Sequence, residues 1–301
     1  LTLGDGGGPC ADDISDQLVV TYNAAGSVIA GANQEVCEGG SINLEEALLV
    51  PGYNRYLWST DRPGSFAPAV IDDPSADADL ATIFTPSNGP GDYLVTLTAI
   101  DADGILPDAK GSLTVKVNPL PIVAIAGATT ICEGQSTYLT FNLSGTAPWS
   151  VTFNDGVSNF TIDDISNSPH LQEVSPLTTT TYTLVSVKDA NGCERTGLTQ
   201  SVVIQVNPLV QVNPEVTAEL CSGEPIQIDG NPLGGSGIYD KHLWQGSGTS
   251  FLSDPAIPDP VFQTNVDQPT TFELTYQVTD RNTCITTSQP LRFTVYPKPV
   301  I

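Results

Sequence analysis

Apolar and polar residues alternate with a period of two in three stretches that share an ending. These are Leu113-Thr-Val-Lys-Val117, Val202-Val-Ile-Gln-Val206 and Leu291-Arg-Phe-Thr-Val295, followed by Asn-Pro119, Asn-Pro208 and Tyr-Pro297. A strand packed on one side needs that period, because successive side chains point to opposite faces. Each stretch is preceded by a longer one of the same character, beginning at Tyr93, Tyr182 and Phe272. The connections are Asp101-Ala-Asp-Gly, Asp189-Ala-Asn-Gly-Cys193 and Asp280-Arg-Asn-Thr-Cys284. Asp, Asn and Gly tolerate the backbone angles of tight turns, so each unit reads as strand, hairpin turn, strand and proline-marked exit. No window sustains a helical period. Leu44-Glu-Glu-Ala-Leu-Leu-Val50 would supply two turns at most.

The unit recurs with its surroundings. Opening cysteines at 37, 132 and 221 follow one another after 95 and 89 residues, and Trp58, Trp149 and Trp244 after 91 and 95. Asp101, Asp189 and Asp280 recur after 88 and 91. A period near 90 is too long for a solenoid unit and suits tandem domains. The expected division is 1–23 for the closing strands of a preceding copy, then domains at 24–118, 119–207 and 208–297, with 298–301 opening the next repeat or a linker. Leu18-Val-Val-Thr-Tyr22 and Cys10 resemble the tail of a fourth copy, so the chain reads as a slice of a longer array. Seven or so short strands per domain predict an all-β, two-sheet sandwich, with the single tryptophan of each copy (Trp58, Trp149, Trp244) filling its core. The proline-rich junctions predict short, semi-rigid spacers and an elongated array.

Composition narrows the function classes. Acidic residues number 34 and basic ones 10, for a formal charge of -24, which disfavours nucleic acid and anionic lipid as partners. With 27 Gly and 24 Pro, turns break the chain every ten residues or so. No run of 18 apolar residues predicts a membrane span. Six cysteines without a CxxC pair or a histidine cluster point to disulfides and an extracytoplasmic home rather than to zinc. Repeat position predicts the pairs Cys132–Cys193 and Cys221–Cys284, each worth roughly 4 kcal/mol on the chain-entropy model. Ile105 stands at the turn position of the first copy, which leaves Cys37 and Cys10 either paired across the junction or unpaired.

Candidate chemistry is sparse. Asp72, Asp73, Asp77 and Asp79 form the densest acidic cluster and could bind calcium, although the EF-hand spacing is absent and a solvated loop is the commoner explanation. His170 and His242 fall in unrelated contexts, and neither a nucleophile elbow nor a phosphate loop is present. Asn142-Leu-Ser144 and Asn159-Phe-Thr161 are sequons that matter only in a eukaryotic secretory host. The chain is therefore expected not to be an enzyme, and no cofactor beyond possible calcium is implied.

The set Cys-Glu-Gly, one Trp per copy, Thr178-Thr-Thr-Thr-Tyr182-Thr-Leu, Asp189-Ala-Asn-Gly-Cys193 and Val-Asn-Pro resembles the PKD-like and immunoglobulin-like repeats of large Bacteroidetes surface proteins. Gliding-motility adhesins exported by type IX secretion are of this kind. The resemblance implies immunoglobulin-like sandwiches at the cell surface, associated with the outer membrane. It also implies adhesion or gliding motility as the role, with a surface or polysaccharide ligand and other envelope proteins as partners. Its alternative is a carbohydrate-binding module, or spacer domains of a larger secreted hydrolase.

Overall fold

A computed structural model describes residues 27–72, 74, 80–215 and 220–299. Strands are the regular structure of the described residues, joined by turns and loops, and the one helical element among them is the 3-10 turn Thr249–Phe251. Leu44 ends a short strand, Ile42–Leu44, and residues 45–50 have no regular structure. Its glutamates are exposed, and the expected two helical turns do not form. No helix among the described residues is long and apolar enough to cross a membrane.

Three hydrophobic cores lie along the chain, the first two each between two sheets. In the first, the five-stranded sheet runs Gln34–Cys37, Ala109–Asn118, Gly91–Ile100, Arg55–Thr60, Val70–Asp72. It faces a three-stranded sheet of Ile42–Leu44, Thr82–Pro86 and Gly64–Ala67. In the second, Thr129–Cys132, Ser201–Asn207, Thr180–Lys188, Trp149–Asn154 and Asn159–Ile165 face His170–Val174, Thr137–Ser144 and Ile122–Ala126. The third has Leu220–Cys221, Leu291–Tyr296, Thr270–Asp280 and Tyr239–Gly246 in one sheet, with two short strand pairs in place of the other. By compactness the chain divides into two units. One contains residues up to 120 together with 191–193, and the other contains 121–190 and 194 onward, with the second and third cores.

Alternation places the core. Tyr93, Val95, Leu97 and Ala99 are buried from one strand, and Leu113, Val115 and Val117 from its hairpin partner. Trp58, Trp149 and Trp244 are all buried. Burying side chains of this size contributes about 2–3 kcal/mol or more apiece before the entropy of ordering is counted. Their indole N–H groups differ: Trp58 donates to Leu80 O (3.1 Å) and Trp244 to Ile257 O (3.0 Å), whereas Trp149 Nε1 has no partner. In the first sandwich the Tyr93 hydroxyl donates to Gly89 O (3.0 Å) and accepts from Asn88 N (2.9 Å). This ties the start of its strand to the corner before it, as a tyrosine corner does.

One pairing recurs in all three sandwiches and sets their polarity. The opening strand lies parallel to the closing strand, with Cys37 opposite Asn118, Cys132 opposite Asn207 and Cys221 opposite Tyr296. Each opening cysteine therefore sits at the trailing pole, where the chain leaves the sandwich. The hairpin turn lies at the other, leading pole.

Candidate functional site

The cysteine-bearing poles are the most distinctive chemistry in the molecule, and local sequence builds them alike. After each opening cysteine a glycine takes a left-handed backbone: Gly39 at φ 81°, Gly134 at 82° and Gly223 at 80°. The residue after the cysteine donates its N–H to the exit carbonyl, Glu38 to Asn118 (2.8 Å), Glu133 to Asn207 (2.9 Å) and Ser222 to Tyr296 (2.8 Å). The segment beyond the exit proline is tied back as well. Leu209 N reaches Glu133 Oε2 at 3.4 Å, and Lys298 Nζ reaches Glu224 Oε1 at 2.7 Å.

The leading poles are equally regular. Gly104, Gly192 and Thr283 hold the same left-handed turn position, at φ 73°, 78° and 66°. Asp280 organises its turn by accepting Cys284 N on Oδ1 (3.0 Å) and Ser236 N on Oδ2 (2.9 Å). Asp101 accepts the N–H groups of Asp103, Ile105 and Leu106 (3.1, 2.9 and 2.9 Å). These backbone bonds, that from Leu106 foremost, hold its carboxyl below the usual carboxylate range. Ile105 is accordingly the residue that stands where Cys193 and Cys284 stand, and it is exposed.

The disulfides are Cys37–Cys193 and Cys132–Cys284, with Cα separations of 5.4 and 5.7 Å. This corrects the expected pairs Cys132–Cys193 and Cys221–Cys284, and Cys37, expected to be paired with Cys10 or unpaired, is in fact bonded. Cys221 is a free, exposed thiol, and Cys10 lies outside the described residues. Strand length is the reason. Ala109–Asn118 spans ten residues, Thr180–Lys188 nine and Thr270–Asp280 eleven. At about 3.3 Å per residue, the two poles of one sandwich are roughly 25–35 Å apart, whereas a disulfide needs Cα atoms within about 7 Å. A trailing-pole cysteine must bond outside its own sandwich. Both bonds join the opening cysteine of one sandwich to the hairpin-turn cysteine of the next in sequence. The signal was present in the sequence, but it required knowing that the opening strand runs parallel to the closing one.

Among the described residues, the remaining candidates are not brought together into one site. Asp72 is exposed and its Oδ1 lies 3.3 Å from Arg55 Nε, while Asp73, Asp77 and Asp79 lie outside the described residues. Among the described residues no group of three His, Cys, Asp or Glu is arranged to hold a metal ion. His170 lies on His170–Val174 and His242 on Tyr239–Gly246, in different sandwiches. His242 Nδ1 is 2.6 Å from the Tyr276 hydroxyl. Burial lowers the His242 pKa, partly offset by Asp259, and burial pushes the Tyr276 hydroxyl well above its ordinary value. The half-buried imidazole thus packs against the buried Tyr276 phenol at the edge of the third core. An open concavity on the second sandwich is lined by Phe153, Asp155, Val157, Phe160, Leu177 and Tyr182 among others. The exposed aromatics Tyr138, Phe160, Phe251 and Tyr296 sit on separate elements.

The parallel opening strand and central tryptophan of all three copies, with the two facing sheets of the first two and the tyrosine corner of the first, decide the class. The chain is a tandem array of immunoglobulin-like sandwiches. No protein-family model matches the chain, and no curated protein matches it. Among solved structures it is similar to the I67–I69 I-band fragment of titin, at 12% identity and a TM-score of 0.47, over 90% of this chain and 97% of that one. The N-terminal eight immunoglobulin domains of Down Syndrome Cell Adhesion Molecule match 91% of this chain and 37% of theirs, at 12% identity and a TM-score of 0.41. Extracellular domains 3–5 of Drosophila OTK match over 91% of this chain and 96% of theirs, at 10% identity and a TM-score of 0.32.

Proposed function

We propose that this chain is a stiff, non-catalytic segment of a secreted cell-surface adhesin, a stalk or filament that carries adhesion or gliding at a distance from the cell. The observation that carries the reading is the bonding of consecutive sandwiches by Cys37–Cys193 and Cys132–Cys284. A cross-link between the trailing pole of one sandwich and the turn of the next limits hinge motion at the junction, which an enzyme's core would not require. Disulfides persist in oxidising compartments, which supports a place outside the cytoplasm. The -24 charge supports a solvated, non-aggregating surface. Type IX export and an outer-membrane partner rest on the repeat resemblance, as does a polysaccharide or surface ligand.

Small-angle scattering on the oxidised chain tests the mechanical half. A particle extended by roughly 4 nm per domain is expected from domain size, and a compact globule would sink the stalk reading. Deleting the segment in the producing cell tests the adhesive half. Surface attachment or gliding should fall while secreted hydrolase activity is unchanged, and the reverse outcome would favour a spacer within a hydrolase.

A further inference from the structure

We infer that Cys221 is a cross-linking site for the hairpin-turn cysteine of a further sandwich of this repeat type placed after Pro297. Three observations carry this beyond an isolated thiol. Cys221 occupies the position of Cys37 and Cys132 in register, opposite the exit residue of the closing strand. Its turn reproduces theirs, with Gly223 at φ 80° and Ser222 N bonded to Tyr296 O at 2.8 Å. Both equivalent cysteines are bonded, and each to a turn cysteine one sandwich further along.

The surroundings fit a docking pole. Lys298, just past the exit proline, is held to Glu224 at 2.7 Å, as Leu209 is held to Glu133 at the corresponding exit. Ser222, Asn265, Val266, Asp267, Pro297 and Lys298 line a shallow concavity beside the thiol. Of the two bonded equivalents, Cys37 is half-buried and Cys132 buried, whereas Cys221 is exposed. The partner's chemistry is defined by Cys193 and Cys284: a cysteine following an Asp-x-Asn turn whose fourth residue is left-handed.

Bond formation oxidises two thiols and needs a disulfide oxidant of the thiol-disulfide oxidoreductase class. One thiolate attacks the oxidant's disulfide and displaces one of its sulfurs. The second thiolate then attacks the mixed disulfide, forming the protein S–S bond and releasing the oxidant as its dithiol. The two electrons end on the oxidant, and the two thiol protons pass to it or to solvent.

The test extends the full chain. Ile301 corresponds to Val123 in the repeat, so residues 124–297 are appended after Ile301. Cys10→Ser is introduced, and Cys221→Ser in the appended copy only. After oxidative refolding, alkylation and non-reducing digestion, mass spectrometry should find the Cys221 peptide linked to a Cys193 peptide, and Cys221 labelling should fall from complete to near zero. Mutating the appended Cys193 to Ser should restore complete labelling. The proposal is overturned if Cys221 stays fully labelled while the Cys132–Cys284 peptide doubles, which reports that the appended sandwiches have folded. It is equally overturned by a Cys221–Cys221 dimer. If the Cys132–Cys284 peptide does not double, appending 124–207 alone with its Cys132→Ser offers the same turn cysteine, and a labelled Cys221 there overturns the proposal too. None of these outcomes depends on adhesion or on a stalk.

Discussion

Replacing Cys284 with serine separates the observed bonding from the pairing that repeat position suggests. Cys284 is buried, and its backbone N–H is held by Asp280 Oδ1 at 3.0 Å, a bond the substitution keeps. The change therefore removes the cross-link with little disturbance of the turn. The bond spans a sequence separation of 152. On the chain-entropy model, closing a loop of that length is worth about 5 kcal/mol at 25 °C, a ceiling that native strain and denatured-state structure reduce. In a unit of this size, a loss at that ceiling lowers the melting temperature by roughly 10–20 °C. Calorimetry without reductant measures the loss, and thiol mapping by mass spectrometry identifies the orphaned partner. In Cys284→Ser the new thiol should be Cys132, with Cys221 free as before. A Cys132→Ser/Cys284→Ser double variant should cost no more than either single one, because all three remove the same bond. Recovery of Cys132 bonded to Cys193, with Cys221 protected in the wild type, would refute the pole-to-pole argument.

Other consequences follow from single side chains. Trp149→Phe should cost less than Trp58→Phe or Trp244→Phe by about 1 kcal/mol or more in urea titration. The latter two lose an indole hydrogen bond and strand the carbonyl of Leu80 or Ile257, while Trp149 Nε1 has no bond to lose. Gly111→Ala should destabilise the first sandwich by roughly 2–3 kcal/mol, because a Cβ there would lie 1.8 Å from Val28 O and backbone must move. His242 has a folded pKa below its ordinary value near 6.5. Its contribution is therefore complete above the unfolded pKa and is lost as pH falls through the folded one. The urea midpoint of the wild type should drop relative to His242→Gln between pH 8 and pH 5, and a pH-independent difference would contradict the burial argument.

Local patterning made the sandwiches legible, because alternation, turn residues and the single tryptophan act within a few residues of one another. Leu113, Val115 and Val117 share a buried face for the same reason they alternate in the chain. The cysteine pairing was not legible, because it depends on which direction Gln34–Cys37 runs beside Ala109–Asn118, a relation between segments some eighty residues apart. Cysteine counting could not decide it either. Pairing within sandwiches and pairing between them both leave two of the six cysteines over. Ile105 carried a usable hint: a turn cysteine can be absent from the first sandwich without depriving Cys37, provided that Cys37 bonds to the next turn.

The spans of the two disulfides overlap, from 37 to 193 and from 132 to 284, so each encloses one foot of the other. Under a pull on its ends, a chain linked in this way cannot pay out its full contour even when every sandwich has melted. The load crosses at the sulfurs and leaves the greater part of the intervening backbone slack. Extensibility is thereby capped by covalent bonds rather than by the strength of any fold, and the cap is reversible, since a reducing environment would remove it.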